Sequence, residues 1–176
     1  GKVGVKARTF IIFRFLFRIS TASTFIGKGG ILNGSYAELG GECIDGGDAI
    51  HVNNGQSSPE TASYAEFYDG MYVIGGDAPG GVGGNALYVN GFGTTAIING
   101  GTFKGGQGSN DDDYNGFSIY VLNSAEVHIR SGIFQGEMKV ERNGKLRLYG
   151  CFRKHGTKVT GTFVDGTYLD VSVKTY

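Results

Sequence analysis

Carboxylates, imidazoles, thiols and paired tyrosines are the groups in this sequence that could do chemistry. Asp111-Asp112-Asp113 lies in a Gly/Ser/Asn-rich stretch, with Asp45, Asp48, Asp69 and Asp77 upstream. Hard oxygen donors of this kind can hold Ca2+. Neither EF-hand spacing nor a G-G-x-G-x-D repeat is present, and runs of like charge ordinarily face water. A solvated loop is therefore the main expectation at Asp111, Asp112 and Asp113, and Ca2+ the one cofactor in play. His51, His128 and His155 share no motif. The first two alternate with apolar residues on different strands and are expected to face solvent. Zinc ligation would need a convergence that this pattern does not predict.

Two cysteines, Cys43 and Cys151, give no disulfide framework. Stacked strands would hold them more than about 10 Å apart, beyond the roughly 7 Å between Cα atoms that a disulfide spans. Two free thiols, or an intermolecular bond, are expected. Gly80-Gly81-Val82-Gly83-Gly84 is no phosphate loop, because G-x-x-x-x-G-K-[ST] is absent. Tyr88 and Tyr120 fall at equivalent outward sites of two similar strands. A flat tyrosine strip would suit a polysaccharide, through contact with sugar C–H groups and the phenol hydroxyls. An ordinary cross-strand pair is the competing and favoured reading.

The elements that must position these groups are short strands. Glycine makes up 33 of 176 residues and proline only 2, where glycine is typically about 7%. Hydrophobic residues remain at 40%, with 12 Phe and 10 Tyr, unlike a disordered low-complexity chain. Apolar stretches of helical period are missing. The composition indicates strands joined by tight turns.

One motif recurs: apolar, Asn/Asp-Gly or a variant, then an aromatic. It reads Ile31-Leu32-Asn33-Gly34-Ser35-Tyr36, Phe67-Tyr68-Asp69-Gly70-Met71-Tyr72 and Ile97-Ile98-Asn99-Gly100-Gly101-Thr102-Phe103. Ile129-Arg130-Ser131-Gly132-Ile133-Phe134 and Leu148-Tyr149-Gly150-Cys151-Phe152 follow. Short alternating strands precede the later copies: Ala49–Asn53, Ala86–Asn90, Ser118–Asn123 and Met138-Lys139-Val140. Longer periods carry polar insertions at Gly55–Thr61, Gly75–Gly84 and Gly105–Asn115, which loops accommodate at little entropic cost. The last register stays open: Val164–Tyr168 copies the motif, while Leu169-Asp170-Val171 aligns with Leu146-Arg147-Leu148.

The same ordered strand pair returns each time, without the closely spaced reversals of a sandwich. Like therefore stacks on like. The expected fold is all-β: a single-stranded right-handed parallel β-helix, a solenoid of about five coils. Tyr36, Tyr72, Phe103, Phe134 and Phe152 should form an internal column. Asparagines should form a ladder at one corner, and glycines should supply positive-φ corners.

In these N-G-x-aromatic turns and the Gly161-Thr162-Phe163-Val164-Asp165-Gly166 ending, residues 30–173 resemble the pectate-lyase-like superfamily of right-handed β-helices. The likeness is closer to its uncharacterised extracellular repeat proteins than to its enzymes. The resemblance implies an extracellular or cell-surface location. It also implies, for the lyases, Ca2+ held by aspartates with an arginine as base. Arg130 could take that role, but it occupies a slot of the structural turn, and no aligned aspartate cluster accompanies it.

Two segments complete the division: residues 1–27 as a basic, apolar arm or cap strand, and 28–176 as the β-helix domain. In the arm, Phe13, Phe15, Phe17 and Ile19 alternate with Arg14, Leu16 and Arg18. Such a strand could cover the first coil, or pair with another copy by β-augmentation; a leader remnant is the third alternative. Arg14 interrupts the apolar run, which is too short to span a bilayer. Residues 1–37 carry six basic residues and no acid, residues 38–113 eleven acids and one lysine, and residues 114–176 nine basic residues and five acids. That distribution is unlike a uniformly basic nucleic-acid binder. Three classes remain. The leading one is a non-enzymatic extracellular structural or surface protein, a subunit of a self-assembling fibre or coat that associates with itself through the arm. The alternatives are a carbohydrate-binding module and a pectate-lyase-like polysaccharide-degrading enzyme.

Overall fold

In the computed structural model, the described residues are 2–5, 17–20, 22–35, 45–54, 62–109 and 114–176. The strands run β1 (Lys2–Val5), β2 (Phe17–Ser20), β3 (Thr24–Gly27), β4 (Gly30–Asn33), β5 (Ile50–Asn53) and β6 (Tyr64–Phe67). There follow β7 (Met71–Ile74), β8 (Leu87–Asn90), β9 (Thr95–Lys104), β10 (Ile119–Leu122) and β11 (Glu126–Gln135). The last are β12 (Met138–Val140), β13 (Lys145–Leu148), β14 (Gly150–His155), β15 (Lys158–Phe163) and β16 (Tyr168–Thr175). Among the described residues the fold is all-β.

Two sheets take alternate strands. One runs β1-β3-β6-β9-β11-β13, with β4 and β7 extending it beside β9; the other runs β14-β15-β16-β12-β10-β8-β5-β2. Every pair from β1 to β13 is parallel. Phe17, Ile50, Leu87, Ile119 and Met138 lie opposite one another in succession. Among the described residues the chain passes five times from the second sheet to the first. β2 and β3, in the N-terminal segment, belong to the same two sheets as the rest.

Alternation explains the core. β5, β8 and β10 point Ile50, Val52, Leu87, Val89, Ile119 and Val121 inward, all fully buried. Across from them stand Ala65, Phe67, Ala96, Ile98, Val127 and Ile129. Burial of each large side chain contributes about 1.5–3 kcal/mol.

Three expectations need correction. The aromatic column exists but has other members. Phe25, Phe67, Phe103 and Phe134 stack with centroids 5.6, 5.4 and 5.6 Å apart, and Phe163 continues the column 6.4 Å on, with Phe152 beside it at 5.0 Å. Tyr72 is 52% exposed, because Val73 lies opposite Phe103 while Tyr72 lies opposite Thr102. After Asp69-Gly70 the aromatic arrives one residue earlier than after Asn99-Gly100. A slip of one residue sends a strand side chain to the other face. Tyr36 lies outside the described residues.

The C-terminal end is a second correction. The Leu148–Phe152 segment opens no further parallel turn, and neither alignment of residues 164–171 holds. β14, β15 and β16 form an antiparallel meander, and β16 lies against β12, with Met138 opposite Val173. Its inward residues Val159, Phe163, Leu169, Val171 and Val173 are buried in the common core. The meander is thus a lid on the last parallel strands.

The third concerns part of the glycines: Gly70, Gly91, Gly101 and Gly136 take the expected positive φ, but a second set does not. Gly47, Gly76, Gly84, Gly106 and Gly116 sit where the polar insertions leave and rejoin the sheets. Backbone N–H groups bond in a chain: Gly76 to the Gly47 carbonyl (2.9 Å), Gly84 to Gly76 (2.8 Å), Gly106 to Gly84 (2.9 Å) and Gly116 to Gly106 (2.8 Å). A Cβ on Gly76, Gly84, Gly106 or Gly116 would stand 1.9–2.1 Å from a backbone carbonyl oxygen. None of these four has positive φ. Close approach of backbones, rather than turning, requires them.

Candidate functional site

The outward face of the second sheet carries a row built by register alone: Arg18, His51, Tyr88, Tyr120, Lys139 and Lys174 lie opposite one another in successive strands. His51 meets Tyr88 edge-on at 4.3 Å and 85°, and Tyr88 meets Tyr120 at 5.1 Å and 88°. The Lys139 ammonium stands 4.9 Å from the Tyr120 ring centre, 5.5 Å from Phe117 and 5.2 Å from Tyr176. The Tyr120 hydroxyl donates to Glu141, which also pairs with Lys139 at 3.3 Å. Burial, followed by this bond, pushes the Tyr120 phenol up; the same bond holds the Glu141 carboxyl down. The structure brings Tyr88 and Tyr120 together as a herringbone rather than a flat strip.

His51 does not face solvent as expected. Its Nε2 is buried without a hydrogen-bond partner. Burial, reinforced by the nearby Arg18 charge, lowers its pKa to about 4. His128, by contrast, has partners: its Nδ1 lies 2.7 Å from the Tyr149 hydroxyl and its Nε2 3.4 Å from Glu126. His155 is exposed at the end of β14, so the three imidazoles do not converge.

Three of the four upstream aspartates fasten neighbouring repeats. Asp45 Oδ1 accepts from the Val82 amide (2.9 Å), and Asp77 Oδ1 from the Gln107 amide (2.7 Å). Asp48 Oδ1 accepts from both the backbone and side-chain N–H of Asn85 at 2.8 Å, and Asn85 Oδ1 in turn accepts from the Phe117 amide at 2.9 Å. Two further ladders repeat the device. Asn123 Nδ2 donates to Asn90 Oδ1 (2.7 Å), and Asn90 Nδ2 to Asn53 Oδ1 (3.3 Å). Asn99 donates to Glu66 (2.9 Å) and accepts from Arg130 (3.3 Å), whose guanidinium lies 5.6 Å from the Tyr149 ring centre. Among the described residues no group of three or more His, Cys, Asp or Glu is placed to hold a metal. Asp111, Asp112, Asp113, Phe13, Phe15 and Cys43 lie outside the described residues. Phe17 opens β2 opposite Ile50, Ile19 is buried in the core, and Cys151 is an exposed free thiol on β14.

A concavity the sequence reading missed lies on the first sheet. An open groove of about 330 Å3 crosses the turn before β7 and the bulged middles of β9 and β11, and ends at the β15–β16 turn. Asp69, Tyr72, Thr102, Ser131, Ile133 and Asp165 are among its walls. Ser131 donates its hydroxyl to Asp165, and the Thr167 amide donates to the same carboxylate at 3.0 Å. Those bonds hold the Asp165 carboxyl below the usual carboxylate range. Counting one residue further from Asn-Gly to the aromatic would have put Tyr72 outside and revealed the patch.

No known family model matches the chain, and no curated protein or solved structure matches it either.

Proposed function

We propose that the chain is a right-handed parallel β-helix of about five coils, resembling the pectate-lyase-like superfamily in architecture, and that it serves as a non-enzymatic structural or surface protein outside the cell. Parallel in-register strands visited alternately in two sheets support the solenoid. Parallel crossovers within one sheet are right-handed in about 98% of cases, which supports the hand. The observation that carries the structural role is the use of outward polar side chains. Asp48–Asn85 and Asn53–Asn90 bond between equivalent places of successive repeats, and Asn90–Asn123 and Glu66–Asn99–Arg130 between places one or two residues out of register. A surface whose polar groups hold its own repeats together suits a rigid rod.

Association with itself belongs at the N-terminal end in this reading. The antiparallel meander packs over the core at the other end, and among the described residues β1 and β2 are the outermost strands at the N-terminal end. Open strand edges template pairing with another chain. Electron microscopy and sedimentation of the full chain, beside a Phe13→Lys/Phe15→Lys variant, test this. Assemblies that the variant reduces to monomers are expected. A monomer at every concentration, or turnover of a polysaccharide by the full chain, would overturn the reading.

A further inference from the structure

We infer that the groove on the first sheet is a binding site for a non-acidic glycan, a function beyond the structural role above and independent of it. Three observations meet there. First, register sets Ile31, Tyr72, Thr102 and Ile133 side by side on the outward face of β4, β7, β9 and β11. Three of them are large hydrophobics left open to solvent: Ile31 52%, Tyr72 52% and Ile133 54% exposed. Such a row across rigid strands is the kind of surface on which the C–H face of a pyranose ring packs, and a tyrosine is its best single platform. Clustered exposed apolar side chains mark interaction surfaces more often than scattered ones do.

Second, the groove beside this row has a volume of about 330 Å3, within the usual range for small-ligand sites. Its polar walls can all accept: the carboxylates of Asp69 and Asp165, and the hydroxyls of Thr102, Ser131 and Thr167, which can also donate. A sugar presents many O–H donors, and an amino sugar N–H donors as well. Among the described residues no basic side chain lines the groove, so a uronate would meet two carboxylates there and no compensating cation. The acceptor-rich lining thus selects neutral or amino-bearing glycans and excludes acidic ones.

Third, the groove is organised before any ligand arrives. Asp165 is fixed by the Ser131 hydroxyl and the Thr167 amide, and Thr102 and Ser131 lie on paired strands β9 and β11. Groups already held in place lose little freedom on binding. Its walls come from successive repeats, so it runs across the strands, in the direction in which a glycan chain would extend. Tyr88 and Tyr120 lack these features, since their rings are turned edge-on to each other and one hydroxyl is committed to Glu141.

The test is calorimetric titration of the full chain with cellohexaose, chitohexaose, its de-acetylated amino hexamer and polygalacturonate. Binding of at least one of the first three, and not of polygalacturonate, is expected. Tyr72→Ala and Asp165→Asn should each weaken it at least tenfold, with thermal midpoints close to that of the parent to confirm intact folding. No binding, binding of polygalacturonate alone, or binding that both variants leave unchanged would overturn the inference. Because the readout is binding by the monomer or any assembly, failure here leaves the structural role standing, and loss of assembly leaves this site standing.

Discussion

His51 carries the sharpest consequence at the residue scale. Its neighbours along the row are Arg18 and Tyr88, and its Nε2 is buried without a partner. The folded protein therefore holds the ring neutral down to a pKa of about 4, against a starting value of 6.5. Between those values the unfolded chain binds more protons than the folded one, so stability falls as pH falls from 6.5 towards 4. The carboxyls of Glu126, Glu141 and Asp165, whose values are lowered below their ordinary 3.8–4.5, cost stability only further down. Asp48, raised by burial, works in the opposite direction. Chemical denaturation at pH 7 and pH 5 should show His51→Phe losing about 1–2 kcal/mol less than the parent, after discounting for solvent screening. Equal losses would contradict a neutral His51. Alternation made His51 legible as outward-facing, but its burial was not, because Arg18 and Tyr88 pack over it from strands 33 and 37 residues away.

At the scale of elements, the strands from Ile50 to Val140 were readable because period-two alternation and Asn-Gly punctuation agree along them. The Asn53–Asn90–Asn123 ladder was readable for the same reason. Tyr72 was misplaced because face depends on the parity of a single residue, which a motif of variable length does not carry. The antiparallel meander was hidden by Gly166, which looks like another turn of the repeat but closes a hairpin, with its N–H donating to the Phe163 carbonyl at 2.9 Å. The glycine seam was misread because glycine signals both positive φ and absence of a side chain. Substitution separates the two. Alanine at Gly106 would bring Cβ within 2.1 Å of the Gly76 carbonyl oxygen, whereas alanine at Gly156 meets nothing within 4 Å but must hold φ at +61°. Gly106→Ala should cost at least about 3 kcal/mol or prevent folding, and Gly156→Ala about 1–2 kcal/mol, as read from urea midpoints. Equal costs would contradict the seam.

For the whole molecule, charge and closure point the same way. The excess of basic residues over acids in 1–37 and 114–176 flanks an acidic middle, and the core is covered at its C-terminal end by β14, β15 and β16. The meander covers the apolar core at that end, so another copy would find only the β13 and β14 edges there and no open parallel coil to stack on. Rigidity follows from the same construction: each repeat is bonded to the next by backbone ladders, aspartate-to-amide bonds and the phenylalanine column. Both the proposed structural role and the proposed binding groove depend on that stacking.

The stacking itself is tested most directly by cross-strand nuclear Overhauser contacts in isotope-labelled protein. Contacts linking Ile50 to Leu87, Leu87 to Ile119 and Ile119 to Met138, with Ala65 to Ala96 and Ala96 to Val127 in the other sheet, are expected in the parallel pattern. Close Hα–Hα contacts of antiparallel type between β5, β8 and β10, or His51 lying opposite strand positions other than Arg18 and Tyr88, would contradict the account.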